Sequence, residues 1–149
     1  FSQFLVIKSF NKHLNVLKDV DNVVQATIKE ETIHALLGVA IIKHIQKEFP
    51  AWFNAEFYDK LHRACHKAYE AECKIIDWIF EAGELNFMSK DLVKEFTKNR
   101  FNESLEMIGG TGVFAIDKTK LKPLKWFDDE LHASVNTDFF HKIPVAYSK

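Results

Sequence analysis

The sequence predicts an all-α protein built as a helical bundle. Long segments carry apolar residues at the 3.6-residue spacing of a helix. No stretch alternates apolar and polar residues with period two for long enough to make a strand. Helix start and stop residues, Ser89, Gly83, Pro50 and the Gly109–Gly110 pair among them, fall between those segments.

The first helix is expected over residues 1 to 18, with Phe1, Phe4, Leu5, Phe10, Leu14 and Leu17 as its apolar face. That face is already running at Phe1, so the segment reads as the tail of a longer helix. The missing initiator Met likewise suggests a trimmed or split chain. After a break expected at KDVDN, a second helix should run from Asn22 to Glu48 and stop before Pro50. A third is expected from Asn54 to Ala82, ending at Gly83, a residue suited to a left-handed cap. Ser89 then opens a fourth that stops at Gly109–Gly110, and a short helix follows Pro123 over 125–133. The end, NTDFFHKIPVAYSK, looks extended.

Composition narrows the function. Twenty Lys and Arg are interspersed with 21 Asp and Glu, leaving a net charge of −1 and no electrostatic case for nucleic acid or an anionic membrane surface. No apolar run is long enough to span a bilayer. Cys65 and Cys73 lie eight positions apart on one expected helix, roughly 12 Å, too far for a disulfide. They read as small core fillers in a reduced, cytoplasmic protein.

The second helix raises the chemical question. Val24, Ile28, Glu31, Ala35, Gly38 and Ile42 share one helical row, and His34 lies one turn beyond Glu31. A neighbouring row, Val23, Ala26, Glu30, Ile33, Leu37 and Ile41, places Glu30 beside them. The pattern predicts that these acids and the imidazole face inward. Buried carboxylates need a partner charge. A metal ion supplies one, and Glu-x-x-His sets two ligands a single turn apart, as in carboxylate-bridged dinuclear bundles. The plain alternative is a core histidine hydrogen-bonded to a nearby acid or carbonyl.

Other clusters read more plainly. Asp59, His62, His66 and Glu70 share a face with Lys74 and are expected in solvent. Asp129-x-x-His132 reads as local capping and packing beside Trp126, Phe127 and Leu131. The IGGTG run follows a helix without a strand-to-helix turn, so a helix stop accounts for it better than a phosphate loop.

Across its whole length the chain resembles the C-terminal half of the small, radical-generating subunit of class I ribonucleotide reductase. KEETIH (29–34) is similar to that family's Arg-Asp-Glu-x-x-His helix. AYEAECKIIDWIFEAGEL (68–85) and FTKNRFNESLEMIGG (96–110) follow in the family's order. KPLKWFDDELHASVNTDFFHKIPVAYSK (122–149) resembles its Asn-Pro-x-x-Trp segment and tail.

The resemblance implies a ferritin-like di-metal bundle over 1–135, its first helix incomplete at the start, and a tail over 136–149 directed to the large subunit. It implies Glu31 and His34 as metal ligands, Glu30 beside them on the radical path, and Tyr147 as the tail residue that relays the radical. Phe1 and Leu5 fall in the apolar wall around the site. Lys29 stands for the family's Arg, Glu30 for its Asp, and His141 for a Glu usual six residues before the tail tyrosine. The implied cofactor is dinuclear iron, with manganese or a mixed Mn/Fe pair compatible with the same ligands. The family's remaining ligands and its radical tyrosine would all precede Phe1. The resemblance therefore implies a complementary N-terminal chain, a dimeric small-subunit assembly and the large subunit as partners. The implied activity is ribonucleoside-diphosphate reduction. A ferritin-like metal oxidase and a metal-free half-bundle that only binds partner helices are the alternatives.

Overall fold

A computed structural model describes residues 2–135, with side chains to residue 131. Six α-helices make up most of it, with no β-strand among the described residues. They are α1 (Ser2–Leu14), α2 (Lys18–Glu48), α3 (Ala55–Ile79), α4 (Lys90–Met107), α5 (Lys118–Leu121) and α6 (Lys125–Val135). The tail expected over 136–149, Tyr147 and His141 included, lies outside the described residues, as does Phe1.

Local chemistry explains most boundaries. Asn54 caps α3 by accepting from the Phe57 N–H at 3.0 Å, and Ser89 caps α4 by accepting from Leu92 N–H at 3.2 Å. Past α4, Gly109 takes φ +83°, a backbone region that disfavours other residues and ends the helix. Three boundaries differ from expectation, one of them the end of α3, which stops at Ile79 with Phe80 as its cap and not at Ala82. The turn between α1 and α2 falls at Asn15–Leu17, where Asn15 and Leu17 take φ 56° and 58°. The KDVDN stretch instead opens α2, with Asp19 and Asp21 in the first turn, where negative charge suits the helix dipole. α5 was not expected. It is a four-residue turn capped by Asp117, whose carboxylate accepts from Thr119 N–H at 3.0 Å.

The core lies where α1, the start of α2, the end of α3, α4 and α6 converge. Leu5, Ile28, Ile76, Val93 and Phe127 are almost wholly excluded from solvent there. Phe96 and Phe127 meet edge to face, centroids 5.5 Å apart, an arrangement their quadrupoles favour. Leu5, on the apolar face of α1, is fully buried by this chain's own helices.

Asn102 fixes the loop after α4. Its carboxamide accepts from Val113 and Phe114 N–H and donates to the Phe114 carbonyl, all at 2.8–3.0 Å. Gly112 sits so close that an added Cβ would lie 2.7 Å from Asn102 Cγ.

Candidate metal-ligand site on the second helix

α2 is 31 residues long, roughly 46 Å at 1.5 Å per residue, and only Val24 and Ile28 are buried along it. Its start is held by α1 and α6. Near its far end, Gln46 Nε2 donates to the Ile108 carbonyl at 2.8 Å. Between those anchors the helix is open.

Glu31 and His34 lie in that open stretch. His34 Nδ1 is 3.7 Å from Glu31 Oε2, so the two side chains do lie side by side, one turn apart. They do not face a core within this chain: the Glu31 side chain is 53% exposed and that of His34 69%. Glu30 is exposed too. This corrects the inward placement of all three. The half-buried stripe beyond Ile28 passes through Thr32, Val39 and Ile42, and no described helix covers the neighbouring row. Periodicity names the residues that share a face. Burial depends on what packs over it.

That uncovered surface is strongly apolar. Val23, Ile33, Leu36, Leu37 and Ile41 are exposed along it, the last four in the same stretch as Glu31 and His34. Contiguous apolar surface of this kind marks an interaction face.

As a ligand set, Glu31 and His34 have suitable chemistry, carboxylate oxygen and imidazole nitrogen a turn apart. No group of three or more His, Cys, Asp or Glu among the described residues could hold a metal ion. The pair by itself offers two donors, one carboxylate and one imidazole.

The rival clusters stay ordinary. Asp59 pairs with Arg63 on the α3 surface, and His66 packs its ring edge-on to Phe114, centroids 4.8 Å apart. His62 is half-buried, not solvated, and its Nε2 is sequestered without a hydrogen-bond partner. Asp129 reaches Lys125 at 3.8 Å, while the side chain of His132 lies outside the description. Cys65 and Cys73 are free and half-buried. Burial pushes the Cys65 thiol up, and burial with a hydrogen bond to Cys73 pushes the Tyr69 phenol far above its ordinary value. Both groups stay protonated near neutral pH.

Residues 1–123 match the family described as ribonucleotide reductase, small chain. The chain belongs to the ribonucleotide reductase small-chain family. It is 25% identical to a probable ribonucleoside-diphosphate reductase small subunit of Invertebrate iridescent virus 3, across all of this chain and 39% of that protein. To the ribonucleoside-diphosphate reductase subunit beta of Chlamydia pneumoniae it is 23% identical, across 99% of this chain and 41% of that one. The chain thus spans about two fifths of the length of these curated relatives. No helix among the described residues is long and apolar enough to cross a membrane.

Sequence reading missed Lys8 and Asn102, two polar residues that organise the structure. Asn102 carried a faint signal in its place just upstream of a glycine-rich stop. Lys8 carried none beyond lying in the interior of an apolar helix.

Proposed function

We propose that this chain supplies one side of a dinuclear metal centre in a ribonucleotide reductase small subunit. Glu31 and His34 are the two ligands it contributes, and a complementary N-terminal chain brings the rest. The observation that carries this reading is the pairing of Glu31 and His34, 3.7 Å apart, on an uncovered apolar stretch of α2. A partner that wraps this open stretch, covering Ile33, Leu37 and Ile41 and reaching round to Glu31, would bury apolar surface and take both ligands out of water. Family membership supports the chemistry.

When bound, iron or manganese supplies the oxidising chemistry that produces a stored radical. The chain's own part is to hold that centre and pass the radical on. Glu31 would hold the centre through its carboxylate and His34 through its imidazole. Glu30, one residue away, serves as a hydrogen-bonding link on the relay path. Tyr147 carries the radical towards the large subunit, where ribonucleoside diphosphates are reduced. The assembly works as a dimer of small subunits in the cytoplasm.

Metal analysis and turnover of the assembled protein test the assignment. Glu31→Ala should load little metal, whereas Tyr147→Phe should keep its metal and lose turnover. Equal metal in Glu31→Ala and the parent would refute the ligand role.

A further inference from the structure

Lys8 is a buried ammonium within the apolar body of α1, its side chain only 3% exposed. A charge in that position is costly unless it is paired and hydrogen-bonded. Its two carboxylate partners come from different helices. Asp21 Oδ1, in the first turn of α2, lies 2.9 Å from Nζ, and Glu130 Oε2 of α6 lies 3.2 Å from it. Asn11 Nδ2 donates to the other Asp21 oxygen at 3.0 Å, so Asp21 is held from two sides. Phe127 and Leu124 anchor the start of α6 in the core, whereas Glu130 lies about a turn further on, at the middle of the helix.

We propose that Lys8 is a positioning residue that sets the direction of α6 relative to α2. The inference rests on the functional reading above, in which α2 carries the metal ligands and the residues after α6 engage the large subunit. Apolar contacts at Phe127 hold α6 against the core but tolerate rotation and sliding. A buried ammonium shared between Asp21 and Glu130 resists both, because it is hydrogen-bonded to Asp21 of α2 and ion-paired at 3.2 Å with Glu130 of α6. Lys8 thereby fixes the direction in which α6 runs to its end at Val135, relative to the helix that bears Glu31 and His34.

The test uses the full chain assembled with its partner chain, with Lys8→Met, Lys8→Arg and Glu130→Gln compared with the parent. Lys8→Met keeps the apolar stem and removes the charge. Glu130→Gln leaves the Lys8–Asp21 pair intact and weakens only the tie to α6, so it serves if Lys8→Met fails to fold. Amide exchange over 125–135 should accelerate in Lys8→Met and, less, in Glu130→Gln, with α2 beyond Ile28 and the metal content unchanged. The apparent Kd for the large subunit should rise about fivefold in Lys8→Met as the fraction of molecules with α6 in place falls. Lys8→Arg should restore it.

Unchanged exchange in α6 for both Lys8→Met and Glu130→Gln would overturn the proposal. So would faster exchange without a change in large-subunit affinity, since the contact would then be structural alone. A parent that binds no large subunit would instead overturn the functional reading on which the proposal stands.

Discussion

The two ends of α2 are built differently. Up to Ile28 it is closed: Val24 and Ile28 pack into the core, and Asp21 is clamped by Lys8 and Asn11. From Glu30 to Leu37 it is open, with Ile33, Leu36 and Leu37 exposed beside Glu31 and His34. One helix thus serves as core element and as candidate site. The closed part fixes the helix in place; the open part offers ligands on a surface that a partner can cover.

That contrast sets an order of expected effects. The largest belongs to the closed end, where Phe127→Ala should cost about 3–5 kcal/mol because the emptied space cannot collapse. Leu37→Ala, a comparable deletion on the open stretch, should move the stability of the chain alone by less than about 0.5 kcal/mol. Its cost should emerge only in the assembled protein. Thermal or denaturant unfolding of both variants, with and without the partner, checks the pair. A large Leu37→Ala effect in the isolated chain would break the comparison.

Gly112→Ala should cost about 1–3 kcal/mol, because its Cβ would meet Asn102, whose three hydrogen bonds hold the loop. Urea unfolding measures it. Ser89→Ala should lower stability by about 1 kcal/mol through loss of the α4 cap, read in the same way.

The smallest expected effect is electrostatic. Lys94 and Lys90 beside Asp77 hold its carboxyl below the usual range. A carboxyl pKa lowered in the folded state adds stability above its unfolded pKa, and that stability is lost as pH falls through the folded value. Asp77→Asn should therefore lower the neutral plateau slightly and leave stability at low pH, where the parent carboxyl is protonated, unchanged. The acid limb then flattens, as acid titration of the melting temperature would record. The pair sits in solvent, so added salt should erase the difference.

The helices were legible because apolar spacing and capping chemistry agree. Ser89, Asn54 and Gly109 each stand where a helix must begin or end. The turn at Asn15–Leu17 was not, since nothing about Leu17 announces a positive φ, and the charges of KDVDN look like a break while suiting a helix start. α5 escaped because a four-residue turn has no periodicity to read. The Glu-x-x-His element on α2 was visible in the spacing, and the family in the order of motifs along the chain. The exposure of Glu31 and His34 was not visible. It depends on which helices lie opposite, and periodicity describes only one side of a contact. Lys8 was hidden for the same reason, as its partners Asp21 and Glu130 are brought to it by tertiary packing.

The most direct test of the central claim is native mass spectrometry of the protein mixed with the proposed N-terminal small-subunit chain and supplied with iron or manganese. The expected result is an assembly containing both polypeptides with two metal ions per pair, and loss of the metal when His34 is replaced by Ala. A 17.3 kDa chain that stays metal-free and unpartnered under those conditions would contradict the account.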